Sequence, residues 1–277
     1  MNPRTTPDDE MVQAEALPQA DASSLVDAER LEAEVKEMYR HVAREEEAEL
    51  HFEVGRGLAV RLGYPPEILD AIPAEALASF AGVGYYFDLA ALSPGEEVLD
   101  LGSGSGTDVF VAAIQVGESG RAVGVDFTDE QVAKAARLRD REGFSQVEFA
   151  EAHIDDLPFE DQSFDVVISN GVINLSPVKG RVFGEAARIL RPGGRLAVAD
   201  IVSGRPLKER TRRDVDLWAA CIAGAIPRRN YVETIEAAGL RAGEVRQNDY
   251  NFISDRALQA CSTYGVESVS LVAVKES

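Results

Sequence analysis

The stretch Val98-Leu99-Asp100-Leu101-Gly102-Ser103-Gly104-Ser105-Gly106-Thr107 constrains the fold more than any other part of the sequence. Glu97 to Leu101 reads as a short buried strand, the glycines as a tight turn, and Asp108 to Val116 as a helix whose first amides face that turn. That order makes a cradle for a cofactor. A dinucleotide fingerprint wants Gly-x-Gly-x-x-Gly, whereas here the third glycine comes one residue early and Thr107 takes its place. Asp100, at the end of the strand, would repel a pyrophosphate and attract cationic groups. The loop therefore predicts a positively charged cofactor.

Asp126 supplies the second half of the reading. It ends the hydrophobic run Ala122-Val123-Gly124-Val125, about twenty residues after the loop, where an acid can accept both ribose hydroxyls. Two acids then bracket one nucleoside, and S-adenosylmethionine carries the ammonium and sulfonium charges that Asp100 would attract. The alternative role for Asp126 is a capping turn, because Thr128 and Gln131 look like a capping box for a helix from Asp129 to Arg141.

Further along, Val147-Glu148-Phe149, the near-continuous apolar run Ser163 to Asn170, helix Val178 to Leu190 and strand Arg195 to Val202 continue the alternation. Such a pattern predicts an α/β fold with a parallel sheet. Glu244 to Phe252 and Ser268 to Lys275 read as the last strands, and Asn230 with Glu233 as the cap of a helix ending at Gly239.

Residues 1–24 lack apolar periodicity and read as a mobile acidic tail. Residues 25–92 read as a helical annex: Leu31, Val35, Met38, Tyr39 and Val42 share one helix face, and Pro65, Pro66 and Pro73 break up shorter helices. Placed before the first strand, the annex is either a lid on the carboxyl-end crevice or a stabilising layer. The principal domain then spans 93–277, with a helical insertion at 206–228.

The balance of 28 basic and 48 acidic residues gives a formal charge of −20. This argues against nucleic acid or an anionic membrane surface as partner and favours a small-molecule substrate. No apolar run approaches the roughly eighteen residues of a membrane span and no secretory leader is visible, so a cytoplasmic chain is expected. Cys221 and Cys261 are the two cysteines. They have no metal-ligand spacing and read as thiols, and no metal site is expected.

With these features in place, the sequence resembles the class I S-adenosylmethionine-dependent methyltransferases. The likeness rests on the glycine loop, Val125-Asp126, Asp155-Asp156-Leu157-Pro158-Phe159, Phe164 to Asn170, and Leu190-Arg191-Pro192-Gly193-Gly194. More narrowly it resembles the arsenite methyltransferase family, through Ser169-Asn170-Gly171-Val172-Ile173-Asn174-Leu175-Ser176-Pro177, Val198-Ala199-Asp200-Ile201-Val202 and Cys221-Ile222-Ala223-Gly224-Ala225. The resemblance implies a Rossmann-like methyltransferase fold, a mostly parallel seven-stranded sheet flanked by helices. It also implies that Gly102, Ser103 and Gly104 pass beneath the methionine moiety, Asp126 holds the ribose, Phe127 borders the adenine and Ile154 offers its amide to the base. Asn170 would lie beside the methionine end. His153 stands where relatives carry an acid, and a neutral imidazole can still accept one hydrogen bond.

The thiols depart from the family pattern. Arsenite methyltransferases bind trivalent arsenic through cysteines, a soft centre on soft ligands. Two of those cysteines align with Val83 and Gly171, and Cys221 alone remains at a matching position. The expected reaction is therefore methyl transfer to a small organic acceptor, with Tyr85, Tyr86, Asn174, Trp218 and Cys221 as candidates for its pocket. No residue is placed as a general base, although His41 and His51 are conceivable. The alternatives are an arsenite methyltransferase that uses Cys221 with external thiols, and a non-catalytic S-adenosylmethionine sensor.

Overall fold

The computed structural model describes residues 22, 27–44, 53–214, 217–218 and 221–276. Almost all of the acidic tail expected over 1–24 lies outside these residues, as do His51 and the side chain of His41.

Seven strands form one sheet in the order β3-β2-β1-β4-β5-β7-β6. These are β1 Glu97–Leu101, β2 Arg121–Asp126, β3 Val147–Glu151, β4 Phe164–Asn170, β5 Leu190–Val202, β6 Leu240–Gln247 and β7 Glu267–Lys275. The pairs β1–β2, β1–β4, β2–β3 and β4–β5 are parallel, and β7 runs antiparallel to β5 and β6. The expected seven-stranded, mostly parallel sheet is the one found.

Side-chain alternation divides the core between the two sheet faces. Val98, Val166, Ile168, Ala197 and Ala199 pack on one side, and Leu99, Leu101, Val167, Leu196 and Val198 on the other. Asp100 shares the parity of Val98, and so faces the side that carries the amino-terminal helices.

Those helices are α1 Ala28–Arg44, α2 Arg56–Leu62, α3 Pro66–Leu69, α4 Ala74–Ala78 and α5 Phe87–Ala90. Leu58, Ala59, Tyr64, Leu69, Ala76 and Phe87 are buried against the sheet layer. Residues 56–92 are thus a packed wall. α1 lies across α7, the helix Asp129–Glu142, where Arg40 meets Glu130 at 2.9 Å.

Between β1 and β2 runs α6, Thr107–Val116, buried nearly throughout between sheet and wall. α8 is Lys179–Ile189, α9 Glu209–Arg212, α10 Arg228–Ala237 and α11 Asp255–Tyr264.

Three local expectations give way to tertiary structure. Thr128 precedes α7 but makes no side-chain cap, and the Thr128 amide instead donates to Asp126 Oδ1 at 2.9 Å. α10 begins directly after Pro227, whose fixed φ starts the helix, so Asn230 lies inside it and Glu233 pairs with Arg229 at 2.7 Å. The sixth strand is Leu240–Gln247, earlier than the expected Glu244–Phe252, because pairing with β7 sets its register from Leu240 opposite Lys275.

Candidate functional site

β1 and β4 are neighbours whose following connections leave on opposite sides of the sheet, and this is where an open α/β sheet gathers its ligands. Two adjoining cavities open there. The first, of about 660 Å³ with part open to solvent, is lined by Asp100, Gly102 to Ser105, Asp108, Asp126, Phe127, Asn170 and Val172, with Phe80 to Gly82 from the wall. The second, of about 1000 Å³ and likewise part open to solvent, shares Gly102, Phe127, Val172 and Leu175 with it and adds His153, Ile154 and Arg181, with Leu31 and Val35 of α1.

The loop's shape follows from its glycines. Gly102, Gly104 and Gly106 have φ of 70°, 51° and 93°, where a side chain is strained. A Cβ on Gly102 would also lie 2.5 Å from the Val172 methyls. The Gly102 and Ser103 amides donate to Val125 O at 2.8 and 2.9 Å, and the Gly104 amide to Asp126 Oδ2 at 2.9 Å. Asp126 therefore ties together the glycine loop and the start of α7. The Ser103 hydroxyl is buried without a hydrogen-bond partner among the described residues.

Three buried carboxyls crowd this end of the sheet. Asp100 is 3% exposed, and no hydrogen bond among the described residues reaches its carboxylate. Burial first, then the charges of Asp108 and Asp126, push its pKa well above the usual carboxylate range. Asp126 is also raised by burial, against the pull of the Thr128 and Gly104 amides. Asp108 is better satisfied. The hydroxyls of Tyr64 and Tyr86 donate to it at 2.6 and 2.7 Å and Asn170 Nδ2 at 3.0 Å.

Asn170 ends β4 and fixes the wall. Its Oδ1 accepts from the Val83 amide at 2.7 Å, and its Nδ2 also donates to Gly84 O and Tyr64 Oη, both at 3.0 Å. From the other side, Ser268 Oγ donates to Val83 O at 2.6 Å and Ser270 Oγ to Tyr85 O at 3.0 Å. The segment 82–86 is held across the carboxyl ends of β4 and β5.

On that segment Val83 meets Gly171, and the Cys221 thiol donates to Gly171 O at 3.8 Å. The three positions discussed for thiols thus converge on one spot beside Gly82 and Asn170. Cys221 is buried in a left-handed conformation, φ 59°, and burial pushes its thiol up to about 12. Its neutral form is the stable one.

Asp100, Gly102, Ser103, Gly104, Asp126, Phe127 and Asn170 line the first cavity, and His153 and Ile154 the second. The Phe127 and His153 rings lie 6.0 Å apart. None of the five acceptor candidates lines either cavity. Tyr86 is fully buried on Asp108, Asn174 Nδ2 donates to Cys221 O at 2.6 Å, and Trp218 Nε1 donates to Arg212 O at 2.6 Å. Tyr85 packs edge-on against Tyr64, with ring centroids 5.0 Å apart.

Sequence reasoning missed Tyr64, Asp108 and the buried pair Lys179 and Asp200. Asp108, an acid opening an otherwise apolar helix, and Asp200, an acid inside the run Ala197 to Val202, were visible signals. Among the described residues no helix is long and apolar enough to cross a membrane, and no cluster of three or more His, Cys, Asp or Glu could hold a metal.

The sequence model of a family described as a methyltransferase domain matches residues 92–247. An arsenite methyltransferase of Halobacterium salinarum is 41% identical over 197 residues, 70% of this chain and 50% of that protein. A second, from Aquipseudomonas alcaligenes, is 39% identical over 198 residues, 69% of this chain and 57% of that protein. The chain spans about half the length of these curated relatives. Among solved structures, CrArsM, an arsenic (III) S-adenosylmethionine methyltransferase from Chlamydomonas reinhardtii, superposes with a TM-score of 0.64. It is 33% identical, and the match covers 77% of this chain and 74% of that one.

Proposed function

We propose methyl transfer to a small organic acceptor as the activity of this chain, which belongs to the class I S-adenosylmethionine-dependent methyltransferase family. The observation that carries the cofactor half is Asp100, a buried carboxylate without a hydrogen-bond partner among the described residues, lining a cavity together with a glycine loop and a second acid. A buried unpaired charge is costly unless a ligand compensates it. The donor set therefore fits S-adenosylmethionine. When bound, that cofactor supplies a methyl group already activated on a sulfonium.

In this reading the protein binds, orients and excludes water. Asp100 holds the cofactor's ammonium, and Gly102, Ser103 and Gly104 pass beneath the methionine portion. Asp126 takes the ribose hydroxyls, while Phe127, His153 and Ile154 border the base. Asn170 holds the wall segment 83–84 beside the methionine end. Methyl transfer from a sulfonium needs little covalent help, so in-line positioning and exclusion of water supply most of the effect.

The acceptor half rests on Val83, Gly171 and Cys221. Buried beside Gly82 and Asn170 of the first cavity, they present apolar groups and one neutral thiol, which suits an organic molecule better than a soft metalloid requiring several thiolates. A second reading keeps arsenite, with external thiols completing the site at Cys221, and the names of the relatives favour it. Incubation with S-adenosylmethionine and either an organic acceptor panel or arsenite plus glutathione separates the two. Methylated arsenic, with no product from the panel, would reverse the preference.

A further inference from the structure

Lys179 opens α8 and is 2% exposed. An ammonium buried at a helix amino terminus is opposed by desolvation and by the helix dipole, so its surroundings must compensate it. Its Nζ donates to Asn174 O at 2.9 Å and Ser176 O at 2.8 Å, and stands 5.3 Å from the centroid of the Trp218 ring. Burial pulls the Lys179 amine down to about 7, with Asp200 attracting its charge and Arg212 repelling it. Asp200 in turn accepts from Tyr231 Oη at 2.7 Å and from the Ile201 amide at 2.8 Å.

Asn174 is thereby gripped through its carbonyl by Lys179 and through its side chain by Cys221 O. The packing between these parts leaves no slack. A Cβ on Gly224 would fall 2.1 Å from Asn174 O and 2.6 Å from the Trp218 ring. On one side of this joint the turn 172–176 lines both cavities through Val172 and Leu175, and Val172 sits on Gly102. On the other side lies the loop bearing Cys221, whose amide donates to Trp218 O at 2.8 Å.

We propose that Lys179 is a positioning residue that couples the cofactor cavity to the acceptor loop. It binds the carbonyls of the 174–176 turn to the face of Trp218, so that a shift of Val172 and Leu175 against an occupant of the cavity reaches Cys221. The inference rests on the reading that S-adenosylmethionine occupies this cavity. A purely apolar staple would hold Trp218 equally well, but it would leave two buried carbonyls unpaired and Asp200 uncompensated.

Trp218 is the one tryptophan in the chain, so its emission reports this joint. The full chain is titrated with S-adenosylhomocysteine, followed by both calorimetry and tryptophan emission, as wild type, Lys179→Met and Gly224→Ala. In the wild type the emission change and the heat should give the same Kd. Lys179→Met, which removes no cavity contact, should bind within about threefold of wild type. Its emission change should fall below about half, with the cation gone from the ring. Gly224→Ala keeps the ammonium but forces Asn174 and Trp218 apart, and should weaken the emission change in the same way; it decides the matter if Lys179→Met does not fold. An undiminished emission response in whichever variants fold, or a wild type that binds without one, overturns the coupling and leaves the cofactor reading standing. No heat from the wild type overturns that reading, and the coupling with it.

Discussion

A Cβ built on Gly171 would stand 3.2 Å from Cγ1 of Val83, which places two positions 88 residues apart in direct contact beside Gly82 and Asn170. Cysteines at both, added to Cys221, would gather three thiols. The Gly171→Cys change meets a φ of 76° and costs about 1–2 kcal/mol of stability. Val83→Cys with Gly171→Cys should retain arsenite through equilibrium dialysis, where the wild type does not. Equal retention by the wild type would move the acceptor assignment to arsenite.

The two native thiols should be sluggish. Burial pushes Cys221 up to about 12 and Cys261 up to about 11, so the thiolate fraction at pH 8 is roughly one in a thousand or less. Intact-mass measurement after iodoacetamide treatment at pH 8 should find both unlabelled when folded and both labelled in urea. Rapid labelling of folded Cys221 would contradict the buried, neutral thiol on which the proposed acceptor assignment rests.

Asp100→Asn should stabilise the ligand-free protein and weaken cofactor binding. The folded-state pKa of Asp100 lies above its unfolded value, so the contribution of this group to stability is fully present below the unfolded pKa, near 3.9, and is lost as pH rises through the folded one. The variant removes that loss. Its melting temperature should exceed that of the wild type at neutral pH by an amount worth about 1–3 kcal/mol, and the two should converge near pH 4. Thermal unfolding across pH, with and without S-adenosylmethionine, reads both effects. A variant less stable than wild type at neutral pH would mean that the carboxylate has a partner in the ligand-free protein.

Tyr64→Phe and Tyr86→Phe each remove a hydroxyl donor from buried Asp108. Each should cost about 1–3 kcal/mol in denaturant unfolding, and the double variant should depart from additivity because the two share one acceptor. Strict additivity would count against a single network.

Local signals were enough for the sheet and the loop. Asp100 and the three glycines lie within one strand and turn, where period and φ requirements are written in consecutive residues. The same locality misled at Thr128 and Gln131, because the Asp126 carboxylate accepts the Thr128 amide that a capping box would give to the Gln131 side chain. Tyr64 lies 44 residues from Asp108, and no local pattern records a partner that only the packing of the wall on α6 brings near. For Asn174 and Trp218 the region was legible, but the direction of the side chains was not. Their polar groups turn toward Cys221 O and Arg212 O, a consequence of Lys179 and Gly224 that appears only once α8 meets Trp218 and Gly224.

The central claim is that Asp100, the glycine loop and Asp126 form a site for S-adenosylmethionine. Calorimetric titration of S-adenosylmethionine and S-adenosylhomocysteine against the wild type and Asp126→Ala tests it most directly. The account predicts that both ligands bind the wild type, and that the variant binds at least about tenfold more weakly. That weakening corresponds to losing hydrogen bonds to a charged acceptor worth about 1.5–3 kcal/mol each. No heat with either ligand, or an Asp126→Ala protein that binds as the wild type does, would contradict it.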